Sequence, residues 1–383
     1  MCDILKHTTM KTGDKVMKKI HRTLSLFTVA AMCAALLCSC GDVPDSSQTD
    51  SSSKAATTTT ADTTADTTTT GEASSTASAT SAPDSSVSDS SSAVTDDTKT
   101  NGITPAMWKV TSPEGNTMVM LGSFHALKDE CYPLPEAVTN AYNNADILAV
   151  ECDITSTSED GEYMKNLMKQ MLYNDNTKLS QHISEEAYSA LQTYLGYWGM
   201  DISALEVYRP WAISSTLDTL LIQDADFDSE KGLDNYLLTT AHADGKEIYE
   251  VESVDFQMNL LINFSDDIYD LMFRSYEGET KESQKQALED LYTAWKSGDI
   301  ETFLEEDNEE ELAGYTEEDK KIAEDYNNQM LYDRNKNMAK AAEDLMSQGK
   351  NVFYVVGAAH YAGEGGIIDL LEKDGYTAER VQY

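Results

Sequence analysis

The sequence is poor in positive charge. Its 383 residues carry 28 Lys and Arg against 67 Asp and Glu, a formal net charge of −39. Phosphate backbones are held by a basic face, so nucleic acid is not an expected partner, and neither is an anionic lipid surface gripped through a basic patch. A bilayer-spanning run is also missing near the N-terminus: the apolar stretch Leu24–Leu37 has 14 residues, short of the roughly 20 that cross a membrane as a helix. Cysteine is scarce where a fold is expected. Of six Cys, only Cys131 and Cys152 lie beyond residue 40, so the core, not a disulfide framework, must hold the domain. The sequence has no P-loop, no dinucleotide Gly-x-Gly-x-x-Gly, no His-Glu-x-x-His and no Gly-x-Ser-x-Gly. The best-marked nucleotide, zincin and serine-hydrolase sites are therefore absent.

The charge is unevenly spread. Residues 1–40 sum to +4, residues 41–101 to −8, and residues 102–383 to −35. Residues 1–39 read as a signal peptide whose effective start is Met17. The basic stretch Met17–Arg22 precedes the apolar run, which has the length of a signal-peptide h-region. The run ends Leu37-Cys38-Ser39-Cys40-Gly41, which resembles the lipobox of bacterial lipoproteins. Cys40 is then expected to be diacylated, the palmitate-type anchor of a lipoprotein, holding the protein on the extracytoplasmic face of the bacterial cell membrane. An ordinary secretory signal with an incidental Cys is the alternative. Residues 40–101 are Ser, Thr, Ala and Asp with no Leu, Ile, Met or aromatic after Cys40. Such a segment has nothing to bury and reads as a disordered tether with a reach of roughly 40–45 Å.

Residues 102–383 are the folding domain, expected to be α/β (α+β). Trp108–Ser112 and Thr117–Leu121 read as strands joined by the turn Pro113–Asn116. Leu134–Ala145 reads as a helix with Pro135 near its first turn. Ile147–Glu151 is apolar on both faces until its last residue, as in a sheet sandwiched by helices. Val352–Val356 is a second such strand, followed by a helix over Gly363–Asp374 and a strand over Thr377–Val381. Residues 155–345 form a large, mostly helical insertion. Amphipathic stretches there are Glu185–Trp198, Pro210–Gln223, Leu233–Ala243, Lys281–Lys296 and Lys320–Ser347, with a short strand at Glu247–Val251. Most acids lie on these helices as solvated faces.

A cryptic repeat carries the most information. Met118–His125 aligns with Tyr354–His360, each a buried strand, a Gly, two residues, a His, a loop and a helix. The two strand–GxxH–helix copies are expected to form a central sheet of two half-sheets meeting about a pseudo-twofold axis. Each His then stands just past the carboxyl end of a strand, where α/β sheets bind ligands. Gly122 and Gly357 permit the tight turn and close approach. Glu151 ends an apolar strand, where a carboxylate needs a cation, a metal or a proton donor. His125, His360 and Glu151 thus make a plausible divalent-metal set with a position open for water. Capping or core histidines, and a Glu neutralised by a structural Arg, are the plainer readings. Asp153 lies on the same side as Glu151 as a weaker second carboxylate, and Cys152 points away.

These residues resemble a family. Leu121-Gly122-Ser123-Phe124-His125, Leu148-Ala149-Val150-Glu151 and Val356-Gly357-Ala358-Ala359-His360 with Gly363-Glu364-Gly366 look like the TraB/GumN family, which also contains the Tiki proteins. Arg209-Pro210-Trp211, Gly232-Leu233-Asp234, Glu250-Val251-Glu252-Ser253 with Gln257, and Arg334-Asn335 with Met338-Ala339 resemble further segments of that family, in its order. Val251 stands where the family usually has Leu, and Ser253 where it has Thr. The resemblance runs from about 103 to 383. It implies a site of His125, Glu151 and His360, as in the Tiki proteins, which are metal-dependent proteases. Wider relatives include erythromycin esterase-like hydrolases and a haem-binding lipoprotein.

The expected activity is a metal-dependent hydrolase using Mn, Co or Zn, acting on a peptide or on a small ester or amide. A metal-free esterase-like hydrolase, a non-catalytic lipoprotein binding haem or another ligand, and a structural scaffold are the alternatives. Arg334 and Arg209 are expected either to clamp a carboxylate or developing oxyanion or, for Arg334, to pair internally with Glu252 or Asp234. Glu364, in the loop after His360, is a candidate to orient that imidazole or an exposed loop residue.

Overall fold

The computed structural model describes residues 102–156, 161–304 and 315–383. The expected leader at 1–39, the expected lipidation site Cys40 and the expected tether at 40–101 lie outside these residues. The sheet has six strands: β1 (Met107–Thr111), β2 (Thr117–Ser123), β3 (Ile147–Val150), β4 (Glu247–Glu250), β5 (Val352–Gly357) and β6 (Thr377–Arg380). Their order across the sheet is β4-β3-β5-β2-β1-β6. β4, β3, β5 and β2 run parallel, and β1 joins β2 and β6 antiparallel. β3 and β5 are buried at every residue, as continuous apolar strands covered by helices on both faces must be. The edge strands β4 and β6 are mostly exposed.

The two Gly-x-x-His copies do form one central sheet, but no pseudo-twofold relates them. β2 and β5 are neighbours running parallel, with Gly122 opposite Val356 and Ser123 opposite Gly357. A sideways step of about 4.8 Å carries one strand onto the other, with the two motif glycines offset by one residue. β3 pairs with β5, so Glu151 ends beside the His360 strand and not beside the His125 strand. Parallel pairing places all three chemistry-bearing strand ends on one edge.

The helices are α1 (Glu136–Asn144), α2 (Gly161–Gln170), α3 (Glu185–Tyr197), α4 (Pro210–Asp224), α5 (Leu233–Asp244), α6 (Val254–Ile262), α7 (Asp266–Arg274), α8 (Lys281–Ser297), α9 (Glu317–Asn327), α10 (Asp333–Ser347) and α11 (Ile367–Lys373). Local chemistry sets several ends. Ser184, Ser265 and Thr280 accept N-terminal backbone N–H groups of α3, α7 and α8. Gly298 closes α8 in the left-handed conformation. Two expectations are corrected. Lys320–Ser347 is not one regular helix, because a π turn at Asn328–Tyr332 separates α9 from α10. The helix expected from Gly363 starts only at Ile367, since Gly363 and Gly365 take positive φ of 63° and 78°. Cys131 and Cys152 are both free and buried. Among the described residues no helix is long and apolar enough to cross a membrane.

Candidate functional site

The site is built from three neighbouring strand ends and from side chains of the helices α5, α6 and α10. β2 delivers His125. At Gly122 an added Cβ would lie 2.9 Å from the Ala358 Cα, so only glycine lets the two motif segments touch. The buried Trp295 of α8 donates its indole N–H to the Gly122 carbonyl at 3.0 Å. On the other side Gly232 abuts the His125 carbonyl so closely that a Cβ would sit 2.0 Å from it. Leu233 N–H then donates to the Phe124 carbonyl at 3.0 Å. This brings the first turn of α5 against the loop, and Asp234 Oδ2 reaches His125 Nδ1 at 2.8 Å. Burial opposes charge on His125, but Asp234, with help from Glu151, overrides it and raises the imidazole pKa from 6.5 to about 9. A quarter of the His125 side chain remains exposed, so this group faces the solvent side of the cluster.

Glu151 is held from both oxygens. Oε1 accepts the Gly357 backbone N–H at 2.7 Å. Oε2 accepts Gln257 Nε2 at 2.9 Å and an Arg334 Nη2 at 2.8 Å. Burial alone would favour the neutral acid, but Arg334, with the protonated His125 and the Gly357 N–H, keeps Glu151 ionised and well below the usual carboxylate range. Arg334 itself is fully committed. Its Nε and Nη2 donate to Glu252 at 2.9 and 2.8 Å, and Nη1 donates to the Met330 carbonyl at 3.0 Å. Arg334 is thus an internal clamp on Glu151 and Glu252, with no free fork for an oxyanion.

β5 delivers His360, which is 5% exposed. Its Nδ1 lies 2.6 Å from Asn335 Oδ1. Asn335 Nδ2 donates to the Gly365 carbonyl at 2.9 Å, which fixes the amide so that Oδ1 must accept from His360. The proton is thereby assigned to Nδ1, and the bare Nε2 faces Glu151 Oε1 across 3.7 Å. Burial, reinforced by Arg334, lowers the His360 pKa to about 3, so the ring is neutral. Gly357 lets the three groups converge around its Cα. A Cβ there would stand 3.1 Å from Glu151 Oε1, 3.6 Å from His125 Nε2 and 3.6 Å from His360 Cδ2.

The remaining expected residues separate clearly. Asp234 pairs with His125 and not with Arg334. Arg209 precedes α4 and donates to the Ile262 carbonyl at 2.7 Å, so it clamps backbone, not a reacting group. Glu364 is exposed and does not orient His360; the turns at Gly363 and Gly365 carry it outward, and Asn335 does that work. Asp153 accepts from His242 at 2.8 Å and from Thr155, outside the cluster. His182 bridges Asp266 and Thr177. Cys152 donates to Gln257 Oε1 at 3.4 Å. Asn335 and Gln257 stand inside the recognisable sequence segments, but only the fold reveals their contacts. Trp295 carries no signal in the sequence. Among the described residues, no three or more His, Cys, Asp or Glu side chains stand together in a ready-made metal geometry.

A sequence model of the TraB/PrgY/gumN family matches residues 106–380. The chain is 26% identical over 157 residues to the uncharacterized protein YbaP of Escherichia coli strain K12, covering 41% of this chain and 56% of that protein. It is 24% identical over 293 residues to a "Metalloprotease TIKI homolog" of Nematostella vectensis, covering 65% of this chain and 61% of that protein. It is 26% identical over 161 residues to "Metalloprotease TIKI1" of Xenopus tropicalis, covering 38% of this chain and 32% of that protein. The chain therefore spans less than two thirds of the length of these relatives. No solved structure matches. With a match over nearly the whole described domain and the two Gly-x-x-His strand ends side by side, the chain belongs to the TraB/PrgY/gumN family.

Proposed function

We propose that this protein is a membrane-anchored extracytoplasmic hydrolase that cleaves a peptide bond, or a small ester or amide, with a divalent metal held by His125, His360 and Glu151. The observation that carries the reading is the space at Gly357, bordered by Glu151 Oε1, His125 Nε2 and His360 Cδ2. Each imidazole has its Nδ1 held by a partner, Asp234 or Asn335, the arrangement that orients metal-ligating histidines. Two donors about 2.1 Å from a tetrahedral metal lie roughly 3.4 Å apart, close to the 3.7 Å between His360 Nε2 and Glu151 Oε1. Charge agrees. A divalent cation would displace the proton that Asp234 holds on His125; Asp234, Glu151 and Glu252 against Arg334 then leave a formal −2 in the cluster, which the cation would balance. Nitrogen and carboxylate donors suit Mn, Co or Zn.

When bound, such a metal would supply an activated water and polarise a carbonyl. The chain's own residues have distinct tasks. His360 stays neutral, its Nε2 aimed by Asn335. Arg334 and Gln257 keep Glu151 ionised and fixed in place. His125, the exposed member, lies on the side from which substrate would approach, with Asp234 supporting its Nδ1. The relatives named metalloproteases support a peptide substrate. The leader at 1–39, acylated Cys40 and the tether at 40–101 would hold the domain of 102–383 off the bilayer, and labelled palmitate incorporation that is lost in Cys40→Ala tests that part.

A metal-free second reading is favoured by one observation: Glu151 already accepts three hydrogen bonds, from Gly357, Gln257 and Arg334. In that case His125 with Asp234 would move the proton, and Glu151 would position water. Turnover of a panel of fluorogenic peptides and nitrophenyl esters, before and after chelation, separates the two. Activity lost on chelation and restored by Mn²⁺, Co²⁺ or Zn²⁺ supports the metal reading. Activity indifferent to chelation but lost in His125→Ala supports the second. Absence of turnover under all conditions contradicts both.

A further inference from the structure

One buried hydroxyl beside the cluster is unpaired. Ser123, the last residue of β2, is 2% exposed, and among the described residues its Oγ has no hydrogen-bond partner within the protein. A hydroxyl removed from water and left unpaired is costly, and in a native fold it calls for a structural or catalytic reason.

The sheet gives its direction. Ser123 stands opposite Gly357 in the parallel β2–β5 ladder, and opposite residues project to the same face. On that face a Cβ at Gly357 would meet Glu151 Oε1 at 3.1 Å and His125 Nε2 at 3.6 Å. The residues flanking Ser123 project the other way. Gly122 abuts Ala358, and the Phe124 ring packs against Tyr292, Trp295 and Phe303. Ser123 thus lies one strand spacing, about 4.8 Å, from Gly357 and on the side of the sheet where His125 and Glu151 converge. A water held there needs about two to four polar partners. Glu151 Oε1 can only accept, whereas a serine hydroxyl both donates and accepts.

We propose that Ser123 is a further catalytic residue: its Oγ is the hydrogen-bond partner that, together with Glu151 Oε1, holds the water that attacks the substrate carbonyl. Fixing the water from two sides aims its oxygen and spares the reaction the entropy of ordering it. The proposal rests on the hydrolase reading and holds with or without a bound metal.

The test uses the full chain and whichever fluorogenic peptide or nitrophenyl ester the parent turns over. Ser123→Ala should lower kcat roughly 10–100-fold, the effect of one hydrogen bond at a site of developing charge. KM should stay within about 3-fold, because the bond is to the water and not to the bound substrate. In chelator, Ser123→Ala should unfold at a temperature no lower than the parent's, since the hydroxyl it removes has no partner in the protein. Ser123→Thr and Ser123→Val share one shape and differ by the hydroxyl, so a steric cost common to both cancels between them. The Thr variant should exceed the Val variant in kcat by on the order of 10-fold.

A parent-like kcat in Ser123→Ala, equal kcat in the Thr and Val variants, or a lower unfolding temperature of Ser123→Ala in chelator would each overturn the proposal and leave the hydrolase reading standing. A parent inactive on every substrate would contradict that reading, and the proposal with it.

Discussion

His360 Nε2 stands 3.7 Å from Glu151 Oε1, near enough to share a ligand and too far for a hydrogen bond. The same carboxylate oxygen accepts the Gly357 N–H at 2.7 Å, so the imidazole is not the partner that holds it. Both groups are fixed from behind, His360 by Asn335 and Glu151 by Arg334 and Gln257. A pair held apart by its own supports is a preorganised place for a third species.

Arg334 is the first point at which this arrangement can be broken. Its guanidinium separates two carboxylates, Glu151 and Glu252, in a buried setting. Arg334→Met should cost about 3–5 kcal/mol of unfolding free energy, because two buried charges lose their partner. Arg334→Met with Glu252→Gln should cost less than Arg334→Met alone. Urea denaturation of the three proteins checks this, and a double variant no more stable than the single one would count against the clamp.

The cluster also predicts two pH limbs for the metal-free protein. His360 has a folded pKa of about 3, below its ordinary 6.5. The unfolded chain therefore takes up a proton that the folded chain refuses, and stability falls as pH drops from 6.5 toward 3. His125 has a folded pKa of about 9. Its contribution is fully present below 6.5 and is lost as pH rises from 6.5 toward 9. Denaturation in chelator from pH 4 to 9 should show both limbs. His360→Gln should flatten the acid limb and Asp234→Asn the alkaline one; exchange of those effects would show the assignments reversed.

Asp218 offers a test away from the site. It is buried on α4, and its Oδ2 has no partner. Burial raises its pKa well above 3.8, so its contribution to stability is full below about pH 3.9 and is lost as pH rises. Asp218→Asn should raise stability by about 1–3 kcal/mol at pH 7 and do nothing near pH 3.5. Melting curves at the two pH values decide it, and equal effects at both would contradict the burial argument.

Much of this was legible in the sequence because the chemistry sits at the ends of short, wholly apolar strands. His125, Glu151 and His360 each follow such a run, and the run predicts a buried strand and hence the edge on which it ends. Strand order was not legible. Nothing local says that β5 lies between β2 and β3, so the pseudo-twofold expectation failed. Of the two readings of Glu364, the exposed loop residue is the one the structure shows, because nearness in sequence to His360 is undone by two positive-φ glycines. The role of Asn335 beside Arg334 is not legible, because adjacent residues on a helix point about 100° apart and only the ends of β3 and β5 together give both a partner. The π turn is not legible because a one-residue slip blurs a helical pattern without abolishing it.

The central claim is that the space at Gly357 holds a divalent metal. The most direct measurement is calorimetric titration of Mn²⁺, Co²⁺ and Zn²⁺ into the chelated full chain and into Gly357→Ala, whose methyl would occupy that space while leaving His125, Glu151 and His360 unchanged in sequence. The account predicts one site per parent chain for at least one of the three metals. In Gly357→Ala it predicts binding weaker by on the order of 100-fold, with cooperative unfolding retained. A parent that binds none of them, or a Gly357→Ala variant that binds as tightly as the parent, would contradict it.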